Sequence, residues 1–265
     1  MPSPAWPTIA LEPADAPSRA GFRFGDKGTH TSRTMMLAEL TELLAAAPPD
    51  ADRVDYVAAI VEDNLLGKQT TSTRRLTSQR LGELYGLDPA VPLFRLLRRL
   101  WAVDAVGRPL LALLCALARD PLLRATAPTV LSLPLGAELV RATFLDALRE
   151  AVGDRLNDAV LDKVARNAAS TWSQSGHLHG RVRKLRQRVV PTAGSAALAL
   201  WMGTLEGLAG EQLLDCRWAR VLDHTGPALL PAALQAKQLG LIHARAGGGV
   251  VEIDASRLDA LTPVY

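Results

Sequence analysis

Residues 110–118 read Leu-Leu-Ala-Leu-Leu-Cys-Ala-Leu-Ala, and Arg108 and Arg119 bracket this apolar stretch. A helix that spans a bilayer needs about twice as many apolar residues, so we expect a buried core helix and no membrane span. Leucine and alanine, which favour helices, are abundant elsewhere in the chain too, whereas β-branched residues are comparatively few. The stretch therefore predicts a mainly α protein built around an apolar helix.

The composition allows a substantial hydrophobic core. The chain has 265 residues, of which 48% are hydrophobic, and this suits one large domain or two small ones. Its net charge of +3 is a weak signal by itself, so the distribution of charge matters more. Cys115 and Cys216 are isolated, which predicts neither a disulfide framework nor a zinc module. Residues 1–17 lack the pattern of a secretory signal, and both observations favour the reducing cytoplasm.

Prolines and glycines divide the chain into segments. Residues 1–20 hold five prolines and are predicted to form a flexible arm. A helical lobe at 21–120 and a second at 121–265 follow, joined near 107–134. Two short strands with a glycine turn at 239–254 predict that the second lobe ends in a winged-helix-like β-hairpin. Apolar residues at helical spacing predict helices at 29–47, 52–66, 73–85, 91–106, 109–119, 135–152, 154–171, 181–190, 195–208, 210–221 and 227–239.

A polar turn followed by a basic helix, residues 67–80, carries the first functional signal. Together with the preceding helix it has the outline of a helix-turn-helix, in which the amino end of the second helix faces DNA bases. Hydroxyl groups and a helix amino terminus can also bind phosphates. An ordinary solvated helix face is the alternative. The candidate DNA contacts of this first basic cluster are Lys68, Thr71, Ser72, Thr73, Arg74, Arg75 and Arg80.

A second basic cluster contains five cations and no acid, namely Arg181, Arg183, Lys184, Arg186 and Arg188. On the helix predicted at 181–190, Arg181, Lys184 and Arg188 would share one side. Mutual repulsion makes such a cluster costly unless phosphates or carboxylates neutralise it. Duplex DNA is one interpretation, and pairing with acids elsewhere in the fold is the other.

Polar residues near the second cluster and in the terminal hairpin extend the candidate interface. Ser173, Gln174 and His177 can contact phosphates or base edges, although a plain polar loop is the alternative. Arg245 in the hairpin can reach the DNA backbone, although such hairpins also make protein contacts or cover a core. His177 and His179 supply two metal-ligating side chains, but further ligands are missing nearby, so we expect neither a metal nor another cofactor.

Two catalytic motifs are incomplete or absent in this sequence. Gly67-Lys68-Gln69-Thr70 resembles part of a phosphate loop, but Glu62 stands where its first glycine belongs and Gln69 replaces the magnesium-binding hydroxyl. The nucleophile elbow Gly-x-Ser-x-Gly of many hydrolases does not occur. We therefore expect a protein that is not an enzyme.

Three short stretches in the first part of the chain form a recognisable pattern. They are Phe22-Arg23-Phe24 with Lys27-Gly28, Val61-Glu62-Asp63-Asn64-Leu65-Leu66 followed by Lys68 and Thr70-Thr71-Ser72-Thr73-Arg74-Arg75, and Arg80-Leu81 with Leu84.

This pattern resembles the BrxA family of BREX phage-defence systems, and the resemblance covers roughly residues 22–220 in layout. It implies an all-helical protein with helix-turn-helix-like parts that binds double-stranded DNA without catalysis. It also implies partners among the system's other proteins, which methylate host DNA and block phage replication, and it implies DNA contacts at Arg74, Arg75 and Arg80.

Two other functions fit the same residues. A protein-interaction scaffold would use the basic faces for acidic partners and the apolar helices for a homo-oligomer interface. An RNA-binding accessory factor would recognise RNA by its shape and its phosphates. The spacing of the residues does not separate these alternatives from duplex DNA binding.

Overall fold

The computed structural model describes residues 15–25, 27–248 and 250–259, which form a mainly helical fold with a short antiparallel hairpin near the C-terminus, as predicted. The strands are β1 (Leu178–His179), β2 (Leu185–Arg186), β3 (His243–Gly247) and β4 (Val250–Asp254). The helices are α1 (Asp15–Ala20), α2 (Leu37–Ala46), α3 (Arg53–Val61), α4 (Thr71–Tyr85), α5 (Pro92–Val103), α6 (Arg108–Arg119), α7 (Pro121–Ala125), α8 (Ala127–Ser132), α9 (Arg141–Val152), α10 (Asp158–Gln174), α11 (Ala193–Thr204), α12 (Arg217–Val221) and α13 (Leu230–Gln238).

The apolar helix α6 lies at the centre of the fold. Every residue from Leu110 to Ala118 is buried, and α4, α5, α10 and α11 pack around it. Helix α11 is buried from Gly194 to Thr204 and contacts α6 directly. In the described part of the chain, no helix is long and apolar enough to span a membrane.

Side-chain caps set where the helices near the first basic cluster begin. Asp52 accepts hydrogen bonds from the backbone N–H groups of Val54 and Asp55, while the Asp55 carboxylate accepts from the N–H of Asp52. This reciprocal pair starts α3. Thr70 accepts from the N–H of Thr73 and starts α4. These two caps hold the ends of α3 and α4, which pack against each other.

Several predicted segments differ from the structure. The helix predicted at 210–221 is a 3₁₀ turn (Gly210–Asp215) followed by α12, and the helix predicted at 135–152 begins only at Arg141. Residues 15–20, predicted as part of the arm, form α1 instead, while residues 1–14 lie outside the described residues. The helix predicted at 29–47 is a single 3₁₀ turn, Thr29–Thr31, then an irregular stretch, then α2. The helix predicted at 181–190 is wrong, because these residues form a turn and strand β2, which pairs with β1.

The last part of the chain has a defined order of elements. After α11 come a 3₁₀ turn (Gly210–Asp215), α12, α13 and the β3–β4 hairpin. Helix α13 packs on α11 and β3, and β4 packs on the 3₁₀ turn. Ala244 and Ile253 face inward and are buried, while Arg245 lies opposite Glu252 in the strand register.

One continuous cluster of buried side chains extends from Ala20 to Leu258. It includes α6, which precedes residue 120, as well as α10 and α11, which follow it. The core is therefore shared across the boundary between the lobes 21–120 and 121–265, and that division stays a prediction.

Candidate nucleic-acid interface

The amino end of α4 is open to solvent. Thr71 and Ser72 are exposed in the first turn, and Thr73 is half-buried behind them. Arg75 follows one turn later, is also exposed, and makes neither a hydrogen bond nor an ion pair with the part of the chain that is described. Hydroxyls, a cation and the helix terminus therefore face the same solvent region, a combination that suits phosphate binding.

Arg74 has a different role from the one predicted. Its Nη1 donates to the carbonyl of Val61 at 3.2 Å and its Nε donates to the carbonyl of Lys68 at 3.3 Å. The first carbonyl ends α3 and the second lies in the turn before α4. Arg74 thus ties the two helices together from inside the turn, which leaves its guanidinium less available for DNA.

Carboxylates neutralise the other two cations of the first cluster. Lys68 pairs with Glu39 on α2 at 3.1 Å, and Arg80 pairs with Glu83 at 2.7 Å. Burial opposes ionisation of Glu83, but hydrogen bonds from Arg80 and Thr29 outweigh it and hold the pKa of Glu83 below its usual value. Arg74 and Arg75 therefore lack a carboxylate partner in the described part of the chain, and of these two only Arg75 has a guanidinium that makes no hydrogen bond there.

Arg186, from the second cluster, is an internal staple. Its side chain is buried and forms a two-pronged ion pair with Asp223, of which the Nη1–Oδ2 distance is 3.0 Å. Its Nε donates to the carbonyl of Val130 at 2.9 Å, and Asp223 also accepts from the N–H of Val189. The predicted DNA contact at Arg186 is wrong, because this guanidinium fastens the β1–β2 hairpin to the rest of the fold.

The remaining cations of the second cluster divide into paired and unpaired. Arg183 is exposed but bonded to Glu138 at 2.7 Å, and Lys184 donates to Ser173 Oγ at 2.8 Å. Arg181 and Arg188 are exposed and have no polar partner among the described residues. The predicted shared helical side of Arg181, Lys184 and Arg188 does not exist, since the segment is not helical.

His177 is buried and unable to serve as a surface contact. Its Nε2 donates to the carbonyl of Val221 at 2.7 Å, its Nδ1 lies 2.9 Å from Ser175 Oγ, and its ring packs edge-on against Trp172. Burial lowers the pKa of His177 to about 4, so the imidazole is neutral near pH 7. The DNA contact predicted at His177 is wrong, and both ring nitrogens are already occupied.

Side-chain contacts link both basic clusters to the first turn of α2. On one side, Glu39 of α2 binds Lys68. On the other, the amide oxygen of Gln174 accepts from the N–H of Leu37 at 3.3 Å. Ser173, next to Gln174, accepts from Lys184. Ser173 and Gln174 therefore bridge the two clusters rather than project freely.

The β3–β4 hairpin and α13 form a shallow groove whose lining includes Arg245, Lys237, Leu234 and Glu252. Arg245 is exposed, and Glu252 lies opposite it on β4. The exposed residues Gln235, Lys237 and Gln238 of α13 were not among the predicted contacts. Their position just before a hairpin was the available signal.

The structure also contains a buried Thr–His–Asp arrangement that the sequence did not predict. His30 Nδ1 lies 2.7 Å from Asp120 Oδ2, and His30 Nε2 lies 2.8 Å from Thr171 Oγ1. Burial acts against ionisation of Asp120, yet its interactions with His30 keep the pKa of this carboxyl below its usual value. All three residues are at most 1% exposed, and Thr171 also accepts from the N–H of Met35. The arrangement clamps three segments together and offers a substrate no access.

Neither protein-family models nor curated protein sequences match this chain. Within the described ranges, no group of three or more His, Cys, Asp or Glu side chains is arranged to hold a metal ion.

Proposed function

We propose that the chain is a non-catalytic double-stranded DNA-binding component of a BREX-type phage-defence system. The observation that carries this proposal is the open amino end of α4, where exposed Arg75 has no partner in the described part of the chain and Arg74 locks the supporting turn. The resemblance to the BrxA family supplies the biological setting. The helix supplies the physical basis.

Helix α4 has the features needed to dock on a duplex by its amino end. Its 15 residues extend about 22 Å, which is long enough to lie across the DNA groove. The positive end of the helix dipole and the hydroxyls of Thr71 and Ser72 would meet phosphates. Arg75 would contact either a phosphate or a base edge one turn further along.

The β1–β2 hairpin offers a second point of contact. Arg181 and Arg188 are exposed and lack carboxylate partners in the described ranges, so their charges remain available to phosphates. Because Lys68 and Gln174, near the two clusters, both contact the first turn of α2, we infer that one duplex can touch both clusters. This arrangement favours DNA over a small anion.

We further infer that the C-terminal elements act as a winged helix. Two observations support this inference: the order of a helix, a 3₁₀ turn, two further helices and a hairpin, and the packing of β4 on the 3₁₀ turn before α12. Helix α13 would then present Gln235, Lys237 and Gln238 to DNA. Glu252 and Asp254 on the outer hairpin reduce the charge of the wing, so we assign it a smaller share of the affinity.

A test compares an unpaired cation with a paired one on the same helix. Arg75→Ala should weaken binding to a fluorescent duplex and lower the slope of log affinity against log salt by about one unit. Arg80→Ala is the matched control, since Glu83 already neutralises Arg80. Its slope should stay near that of the wild type.

Two results would overturn the proposal. Equal effects of Arg75→Ala and Arg80→Ala, or no binding of duplex DNA even at low salt, would remove α4 as the docking element. Structured RNA that competes better than duplex DNA would favour the RNA-binding alternative instead. Thermal unfolding of each variant shows that the fold is retained.

A further inference from the structure

A groove of about 500 Å³ lies between the end of α2 and the exposed side of α5, away from the basic clusters described above. This volume is in the range of pockets that hold a ligand. Among the described residues that line it, none is acidic and four are arginines. The four arginines are Arg95, Arg98, Arg99 and Arg108.

Three of these arginines are held in place without a carboxylate in the described part of the chain. Arg98 donates to the carbonyl of Ala51 at 2.9 Å and to the hydroxyl of Tyr56 at 3.1 Å. Arg99 donates to the carbonyl of Leu258 at 3.1 Å. Arg108 donates to the carbonyl of Trp101 and stacks over its ring at 5.6 Å from the centroid. Backbone carbonyls orient these guanidiniums but do not cancel their charge.

The fourth arginine, Arg95, already binds a carboxylate. Arg95 binds Asp259 through two nearly parallel hydrogen bonds, Nε–Oδ1 at 3.1 Å and Nη2–Oδ2 at 2.7 Å. This is the geometry in which a guanidinium prefers to bind a carboxylate. The neighbouring guanidiniums of Arg98 and Arg99 lie on the same helix, so a second and third carboxylate can be bound beside it.

The apolar part of the groove selects aliphatic groups rather than nucleic-acid bases. The rings of Tyr56, Phe94 and Trp101 are at most 4% exposed, so their faces cannot stack on bases. The accessible apolar atoms come instead from Leu44, alanines and prolines.

We propose that this groove binds an acidic, amphipathic segment of a partner protein. Aliphatic side chains of the segment would lie on Leu44, Pro48 and Ala102, and its carboxylates would bind Arg98, Arg99 and Arg108. The proposal is independent of DNA binding, because none of these residues belongs to the two basic clusters. It gives the chain a recruiting surface in addition to a docking surface.

The test begins with selection of random displayed peptides on the full-length protein. The peptides enriched should combine two or more acids with leucine, isoleucine, valine or phenylalanine. The tightest one, made with a fluorescent label, is then titrated by anisotropy against variants. Arg99→Glu and Ala102→Glu should each weaken it by about tenfold or more. The first places a carboxylate where the peptide's own should bind, and the second places a charge on the apolar surface that should receive its aliphatic side chains.

The control matched to Arg99→Glu is Lys163→Glu, which makes the same change of charge at an exposed position of α10 outside the groove. It should leave peptide affinity nearly unchanged, and Arg99→Glu should reduce duplex DNA binding no more than Lys163→Glu does. Enrichment of basic peptides, or equal losses for all three variants, would overturn the proposal. So would displacement of the peptide by single-stranded DNA.

The chain's own residues 260–265 are the competing occupant, because they follow Asp259 at the rim of the groove. Their position lies outside the described residues. Peptide binding that appears only after Leu261 and Val264 are both changed to serine would assign the groove to them and would contradict the proposal of a partner protein.

Discussion

The Arg186–Asp223 ion pair permits a prediction about both stability and the candidate interface. Asp223→Ala leaves Arg186 charged at 2% side-chain exposure, without its carboxylate partner. Breaking a buried pair from one side typically costs about 3–5 kcal/mol, since the remaining charge stays desolvated. Asp223 also has φ of +55°, which alanine tolerates less well than aspartate by roughly 1 kcal/mol. We therefore expect a loss of about 4–6 kcal/mol in the free energy of unfolding.

The expected shift in melting temperature follows from the length of the chain. An unfolding entropy of about 2.1 cal/mol/K per residue amounts to roughly 560 cal/mol/K for 265 residues. Each kcal/mol then lowers the melting temperature by about 1.8 °C, so Asp223→Ala should lower it by roughly 7–11 °C. Differential scanning calorimetry measures this shift directly.

Two further variants separate charge from backbone strain. Asp223→Asn keeps a residue that tolerates positive φ and can still accept from Val189, so its loss should be about 1 kcal/mol smaller than that of alanine. The double variant Arg186→Met with Asp223→Asn removes both charges and should recover most of the loss. The β1–β2 hairpin loses its anchor in Asp223→Asn, so amide hydrogens at 178–186 should exchange faster.

The reasoning is refuted if the double variant is no more stable than Asp223→Asn, because an unpaired buried charge would then not be the cause. A shift below about 2 °C for Asp223→Ala would lead to the same conclusion, since it corresponds to only about 1 kcal/mol.

Three shorter predictions concern other residues. The pKa of His177 is about 4 in the folded state, below the unfolded value of about 6.5, so its contribution to stability is present above pH 6.5 and is lost as pH falls. Between pH 7 and pH 5, the free energy of unfolding of the wild type should fall by about 2 kcal/mol more than that of His177→Gln, as measured by urea titrations. Asp223 and Arg186 face His177, so the comparison is made with both intact. Changing Glu62 and Asp63, exposed acids before α4, to Gln and Asn should strengthen duplex DNA binding at low salt, and unchanged affinity would count against docking by α4. Gly180 has φ of +107° and its Cβ position is blocked by the carbonyl of Arg183, so Gly180→Ala should destabilise the fold by about 2 kcal/mol in chemical unfolding, and a neutral effect would mean that the turn is not needed.

Local patterns determined the helical class and several of the element positions. The run at 110–118 predicted the central helix, because it consists of strong helix formers and contains no charged residue that would need to reach solvent. Such a stretch is stable only when it is buried. The three glycines of 247–249 and the alternation around them predicted the terminal hairpin. These features depend on residues only a few positions apart, so they can be read without knowing the fold.

The segment 181–190 is a case in which local patterns predicted the wrong structure, a helix instead of a turn and a strand. Its basic residues are compatible with a helix, but Arg186 is held by Asp223, which lies 37 positions away, and Gly180 takes a conformation that begins a turn. Helix propensity differs among these residues by less than about 1 kcal/mol, so a single buried ion pair is enough to override it.

The candidate interface depends still more on distant contacts. The sequence placed the cations, but whether each remains available depends on carboxylates elsewhere: Glu39 for Lys68, Glu138 for Arg183 and Asp223 for Arg186. Electrostatic pairing acts through space over a few ångströms, irrespective of separation along the chain. Arg75, Arg181 and Arg188 have exposed side chains without a carboxylate partner in the described part of the chain, whereas the neighbouring cations Lys68, Arg183 and Arg186 are paired with carboxylates. Only the tertiary structure could distinguish these two groups.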